Sequence, residues 1–415
     1  MPRSRNERPY RAHGWARGLI HFHTRFSDGW STPRRAAEIA KKRGFDFLIV
    51  TDHIRNLKLF THRTLDEYVR ACDRATRVVG IPVIPGGEME VHWDNEAIAD
   101  FSEGHTIAFS IRPLVAAGVF DWTTKKADPF AFWTDSRGRQ RSLRAIQEML
   151  LRYGVPPAAG HQFQHSPLSR GPEGYSDYRY DLSELELVRY LDFFYSGAVD
   201  LIHESEDLEL ITDAVQTLPD QAKAVYASAD YHVGPETLPA VADALERLPA
   251  LRRVYGWLFR NFAAMALRFL GDPESMAFPF FAEEQLTHAT YVYLGDRPCT
   301  EETVLEALAR GRTCVSRGHF VFKTLLPAPT FTRITTTGVQ IYFSAPVSYS
   351  KPRPRSLLLF RDGKLVDWRI YTPKVEEIEF TYVDRTPAPG THLYQLYVPS
   401  KFLSSPMIVS VPAAP

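Results

Sequence analysis

Hydrophobic and polar positions change period repeatedly along the first third of the chain. An apolar run around Gly18–Ile20 leads into His21-Phe22-His23, then a polar turn through Ser27, Asp28 and Gly29. From Ser31-Thr32-Pro33 the period becomes helical, with Ala36, Ala37, Ile39 and Ala40 on one face and Gly44 as the stop. Phe45 to Val50 is apolar apart from Asp46, as in a strand buried on both faces, and ends in Thr51-Asp52-His53. This is one βαβ unit. In a strand, residues two apart share a face, so the pattern predicts that His21 and His23 converge. A parallel sheet gathers such strand ends on its carboxyl edge, where α/β proteins bind ligands.

Further along, Thr64 to Val79 predicts a helix with Leu65, Tyr68, Val69, Cys72 and Ala75 inward. Ile81 to Glu88 predicts a strand ending in Glu88, and Gly104 to Ser110 a short strand beginning at His105. Residues 117–141 read as a long loop and Ser142–Tyr153 as a helix. Val155–His161 predicts a strand, Glu184–Tyr195 a helix, and Val199–His203 and Ala224–Asp230 two more strands. Residues 236–281 predict an inserted helical hairpin. Its most apolar stretch reaches only the lower limit of a membrane span, about 17 residues, and contains Arg260 and Arg268. Thr300 is an expected N-cap and Gly311 an expected stop for the following helix. From Pro327 onward alternating short runs are separated by Pro, Gly and Asp turns, the pattern of a β-sandwich.

Composition narrows the classes. The 415 residues carry 49 basic and 49 acidic side chains, a formal net charge of zero that predicts no bulk attraction to nucleic acid or anionic membrane. Cys72, Cys299 and Cys314 lack metal or redox spacing and suit a reducing compartment. The basic N-terminus has no apolar core of a secretory signal, so the expected location is cytoplasmic.

An isolated His-x-His pair is ordinarily two satisfied histidines. Joined to Asp28 and to Thr51-Asp52-His53 at the next strand end, it points to metal ligation. In residue type and order, His21-Phe22-His23-Thr24 through Ser27-Asp28-Gly29, followed by Thr51-Asp52-His53, resembles the first two motifs of the PHP (polymerase and histidinol phosphatase) metallohydrolases. Gly86-Gly87-Glu88 resembles the third, Gly160-His161 with His165-Ser166-Pro167 a later one, and Ser228-Ala229-Asp230-Tyr231-His232 the closing one. The segment 303–320 and the β-rich tail resemble the CehA/McbA-like branch.

That resemblance, which covers residues 18 to about 320, implies a distorted (β/α)7 barrel over 18–320 with the 236–281 insertion, preceded by an extension over 1–17 and followed by a β-sandwich over 327–415. It implies two to three divalent ions per chain (Zn, Mn or Fe). One would be held by His21, His23, Glu88 and Asp230, a second by Glu88, His105 and His161, and a third by Asp28, His53 and His232. Asp28, Glu88 and His232 would carry catalytic roles. His165 competes with His161, the apolar run preceding one and the proline following the other, and is kept as a substrate contact beside Arg55 and Arg317. Glu90 and His92 are bystanders.

Clustered cations need neutral imidazoles and bridging carboxylates, and lower the pKa of bound water enough to make a hydroxide nucleophile. The expected activity is a phosphoesterase acting on a small, phosphorylated ester. Hydrolysis of carboxylic or carbamic esters or amides, and a non-catalytic binding protein with structural metals, are the alternatives. Homo-oligomerisation through 236–281 is a further expectation.

Overall fold

The computed structural model describes residues 14–27, 29, 31–54, 64–92, 103–119, 143–159, 170–171, 174–175, 186–192, 208, 211–212, 215–216, 223–231, 288–317, 321–322, 331–335, 338–348, 355–371, 377–384, 388–399, 401–411 and 413. The first βαβ unit is β1 (Trp15–Phe22), α1 (Pro33–Lys42) and β2 (Phe47–Val50). Thr32 caps α1 by accepting from the Arg35 N–H, and Pro33 occupies the first turn, where its missing N–H costs nothing. Then come α2 (Leu65–Val79) and β3 (Val83–Pro85). Thr64 and Glu67 form a reciprocal capping box at the start of α2, and Gly80, at φ 78°, closes its end.

After β3 the path leaves the parallel pattern. β4 (Gly87–His92) pairs antiparallel with β5 (Glu103–Ala108), with Glu88 opposite Ile107. Glu88 therefore lies near the start of a hairpin strand rather than at the carboxyl end of the strand before it. Next are α3 (Arg112–Ala116), α4 (Leu143–Arg152), β6 (Pro157–Ala159), the short pair β7 (Arg170–Gly171) and β8 (Gly174–Tyr175), β9 (Tyr190–Asp192), β10 (Ala224–Tyr226) and β11 (Ser228–Tyr231). At β9 the expected helix is corrected to a strand. Tyr190 sits between Ala158 of β6 and Ala224 of β10, with its ring 4.7 Å from that of Phe109. A sheet slot filled from both sides overrides a local helical pattern.

β12 (His288–Tyr293), α5 (Glu301–Ala309) and β13 (Thr313–Arg317) follow, with Thr300 capping α5. The tail supplies β14 (Val321–Phe322), β15 (Phe331–Thr335), β16 (Gly338–Ser348), β17 (Arg355–Arg361), β18 (Lys364–Tyr371), β19 (Glu377–Asp384), β20 (Gly390–Val398), β21 (Phe402–Ser404) and β22 (Met407–Val411). Among the described residues, one sheet runs β18-β17-β20-β21-β13-β12-β1-β2-β3, with β11 also on β1 and β22 also on β20. Tail strands thus continue the sheet that carries the first βαβ unit, through β21 on β13. β10-β9-β6-β5-β4 form a second sheet, and β14, β15, β16 and β19 a third. The chain is mixed α/β, and no sheet closes into a barrel among the described residues.

Two apolar layers enclose β1 and β2. Leu48 and Val50 pack with Ala36, Ala40, Leu65 and Tyr68 of the helices. Ile20, Phe47 and Ile49 pack on the opposite side with Ile84, Ile107, Tyr190 and Tyr226. Leu19 and Phe22, three apart in sequence, lie in the same layer as Leu48. That break in the strand period occurs at His21. No helix among the described residues is long and apolar enough to cross a membrane. The 236–281 insertion lies outside the described residues.

Candidate metal centre

The convergence of His21 and His23 is built differently from the simple alternation expected. His21 takes a left-handed backbone conformation, φ 69°, at a bulge between Ile20 and Phe22. For a non-glycine residue that conformation costs about 1–3 kcal/mol and persists only when the surroundings enforce it. Here both neighbours are clamped. Ile20 and Phe22 pair with Ile49 and Val50 of β2 on one side and with Ser228 and Tyr231 of β11 on the other. The bulge turns the His21 imidazole so that Nδ1 meets Ser228 Oγ at 2.5 Å and Nε2 lies 3.2 Å from Glu88 Oε2.

The same Glu88 oxygen lies 3.1 Å from His23 Nε2 and 3.5 Å from His53 Nδ1. His23 follows the end of β1, and His53 follows β2, where it forms a parallel backbone bridge with Glu88. Ring centroids are 5.1 Å apart for His21 and His23 and 4.7 Å for His23 and His53. All four residues are buried. Three imidazoles therefore surround one carboxylate oxygen at the meeting point of β1, β2 and β4.

The ligand atoms of His21, His23 and Glu88 all fall within 4.8 Å of one another, a group able to hold an ion. Imidazole and carboxylate donors suit zinc, manganese or iron alike. Buried polar groups of this kind need strong partners, and a cation inside the ring of donors would satisfy all of them together. The hydrogen bond between His21 Nδ1 and Ser228 Oγ leaves Nε2 facing Glu88, as an outer-shell partner of a metal-bound histidine does.

Several residues to which the sequence reading gave no site role hold this arrangement. Asp52 is fully buried, and its carboxylate accepts from Thr24 N (2.7 Å), Thr24 Oγ1 (2.6 Å), Ser27 N (3.1 Å) and Ser27 Oγ (2.6 Å). Burial pushes its carboxyl above the usual range, while the nearby His23 and these hydrogen bonds pull it back. Tyr68 donates to Val50 O and Gly86 O at 3.0 Å each, tying the ends of β2 and β3. Gly29 lies so close to the His23 backbone that a Cβ there would be 2.2 Å from its carbonyl carbon and oxygen. A Cβ on Gly86 would meet Ala108 O at 2.6 Å and Val50 O at 2.8 Å. The available signal was position: apart from Tyr68, each of these residues is next to, or within a few residues of, a ligand candidate.

The remaining candidates divide by placement. His105 is on β5 opposite Glu90, Asp230 is on β11 beside the end of β1, and Arg317 closes β13. Asp28, Arg55, His161, His165 and His232 lie outside the described residues. His288, which the sequence pattern does not mark, is buried and pairs with Arg317. Because β12 runs antiparallel to β1, its first residue comes toward the sheet end that carries His21.

No family model matches the chain, and no curated protein matches it. Among solved structures it is similar to a two-domain protein from Bacteroides vulgatus containing a predicted PHP-like metal-dependent phosphoesterase. That match has 13% identity and TM-score 0.44, over 99% of this chain and 100% of the other. A putative metal-dependent phosphoesterase from Bifidobacterium adolescentis has 19% identity and TM-score 0.34, over 52% of this chain and 87% of its own. An amidohydrolase from Chromobacterium violaceum, with bound sulfate and no metal, has 16% identity and TM-score 0.32 over the same shares.

Proposed function

We propose that this chain is a metal-dependent hydrolase of the PHP type, in its CehA/McbA-like branch, acting as a phosphoesterase on a small phosphorylated ester. The observation that carries the reading is the single Glu88 oxygen within 3.1–3.5 Å of His21, His23 and His53. These four residues come from the same motifs that the sequence resemblance rests on. His21, His23 and Glu88 would hold one ion, with Glu88 shared with a second and His53 contributing to a third. The reading adds Asp28, His105, His161, Asp230 and His232 as ligands of a two- or three-metal centre within a distorted (β/α)7 barrel, with Arg55, His165 and Arg317 as substrate contacts.

A bound divalent ion supplies Lewis-acid polarisation of the ester and a lowered pKa for water. The chain's own part is to hold neutral imidazoles and one shared carboxylate in a buried site. Burial strengthens the field of that carboxylate on a cation. Cytoplasmic location and self-association through 236–281 belong to the same proposal.

The experiment is elemental analysis of the full chain after reconstitution with Mn²⁺ or Zn²⁺, beside a screen of activated phosphoesters, carboxyl esters and amides. More than one ion per chain and phosphoester turnover are expected, and Glu88→Gln should lose both. Metal content of one or none, or an unimpaired Glu88→Gln, refutes the reading. Turnover of carboxyl esters or amides alone moves the chemistry to acyl transfer on the same residues.

A further inference from the structure

Asp52 lies beside the ligands without touching Glu88 through its carboxylate. Its carboxylate gathers four hydrogen bonds, all from Thr24 and Ser27 of the turn that follows His23. Its backbone carbonyl accepts the Glu88 N–H at 3.1 Å. Its neighbour in the chain is His53. One residue thus references three ligand-bearing segments to one another: the turn after β1, the end of β2 and the start of β4.

Thr24 is suited to its half of this contact. Its Oγ1 donates to Asp52 Oδ2 and also accepts the Phe26 N–H at 3.3 Å, which tightens the turn. Ser27 contributes both its backbone N–H and its hydroxyl to Asp52 Oδ1. Three donors, two of them backbone N–H groups, converge on Oδ1, so that atom must accept. Oδ2 takes the Thr24 hydroxyl, and an amide at this position removes that second acceptor and turns an N–H toward the hydroxyl instead. The Thr and Ser of the first motif and the Asp of the second are therefore explained by one another rather than by ligation.

We propose that Asp52 is a positioning residue: through Thr24 and Ser27 it sets His23 against Glu88 and His53, so that metal affinity depends on a group that binds no metal. This rests on the metallohydrolase reading above. Outer-shell groups that orient ligands change metal affinity by roughly 10–100-fold when removed.

The test titrates the metal-free full chain with Zn²⁺ alone, in competition with a chromogenic chelator, and records thermal unfolding of each metal-free variant. Asp52→Asn is expected to bind Zn²⁺ about 10–100-fold more weakly. Ser27→Ala should lose less. The double variant should lose little beyond Asp52→Asn, because the two share a bond. Ser27→Thr, which keeps the hydroxyl, should bind more tightly than Ser27→Ala. Folded Asp52→Asn with the parent's Zn²⁺ affinity overturns the proposal, even if its unfolding temperature falls. If Asp52→Asn does not fold, Ser27→Ala decides, and parent-like affinity there overturns the proposal. A parent that binds no Zn²⁺ overturns the metallohydrolase reading and this proposal with it. A parent that binds and hydrolyses beside an unchanged Asp52→Asn overturns this proposal alone.

Discussion

Gly29→Ala tests whether the close approach of the first-motif turn to the His23 backbone sets the geometry of the candidate ligands. Gly29 is buried, its N–H donates to Thr24 O at 3.0 Å, and its φ lies outside the left-handed region, so alanine is allowed conformationally. The conflict is steric. A Cβ would stand 2.2 Å from His23 C and O and 2.5 Å from Thr24 N, whereas ordinary contact begins at 3.4 Å. Backbone atoms cannot rotate away as a side-chain tip can, so the turn and the His23 segment must separate by about 1 Å, a displacement that in a preorganised site costs on the order of 100-fold. Overpacking of this kind costs about 1–3 kcal/mol of stability in addition. Zn²⁺ affinity and turnover of an activated phosphoester, measured on folded protein, should therefore fall together by about 100-fold. Gly118→Ala is the control, since its φ of 67° strains alanine while no atom lies within 4 Å of the added carbon. It should lose stability and keep its metal affinity. A folded Gly29→Ala that binds Zn²⁺ like the parent would show that His23 is not held by this contact.

Two further outcomes concern the tail. Ser405 Oγ accepts the Val225 N–H at 2.9 Å and lies 2.5 Å from Thr313 Oγ1, so Ser405→Ala strands a buried N–H of β10. The unfolding free energy from a denaturant titration should drop by about 1–3 kcal/mol, and an unchanged midpoint would refute that role. Burial opposes charge on His392, but the Ala388 carbonyl at Nε2 (2.8 Å) and Asp362 at Nδ1 (2.7 Å) prevail and raise its pKa above the ordinary value. A raised folded pKa means the contribution is fully present below about pH 6.5 and fades as pH rises through the folded value. The stability difference between the parent and His392→Gln should accordingly shrink from about pH 6 to about pH 8; a constant difference would argue against it.

Much was legible in the sequence because it depends on side-chain type and short-range period. The start of α1 follows from Thr32-Pro33 and the span of α2 from the Thr64–Val79 period, signals that act within one turn. Glu88 and the three histidines around its carboxylate were legible as ligand candidates because imidazoles and a carboxylate ended or followed apolar runs. What the chain pattern missed is long-range. Residues 190–192 carry a helical pattern locally, but hydrogen bonds offered by β6 and β10 on either side make them a strand.

By itself the sequence determined which atoms are available to a cation and roughly which ends of which elements bring them. Tertiary structure alone decided how they meet. The left-handed His21 is disfavoured by its own backbone and exists because β2 and β11 hold Ile20 and Phe22 in register at once. Asp52 reads as one polar residue in Thr51-Asp52-His53 until the fold brings it to Thr24, 28 positions earlier. Ser228 reaches His21 across 207 positions. Such contacts cost loop entropy to form and leave no periodic trace in the chain. They are set only when the packed sheets offer each buried polar group one satisfying partner.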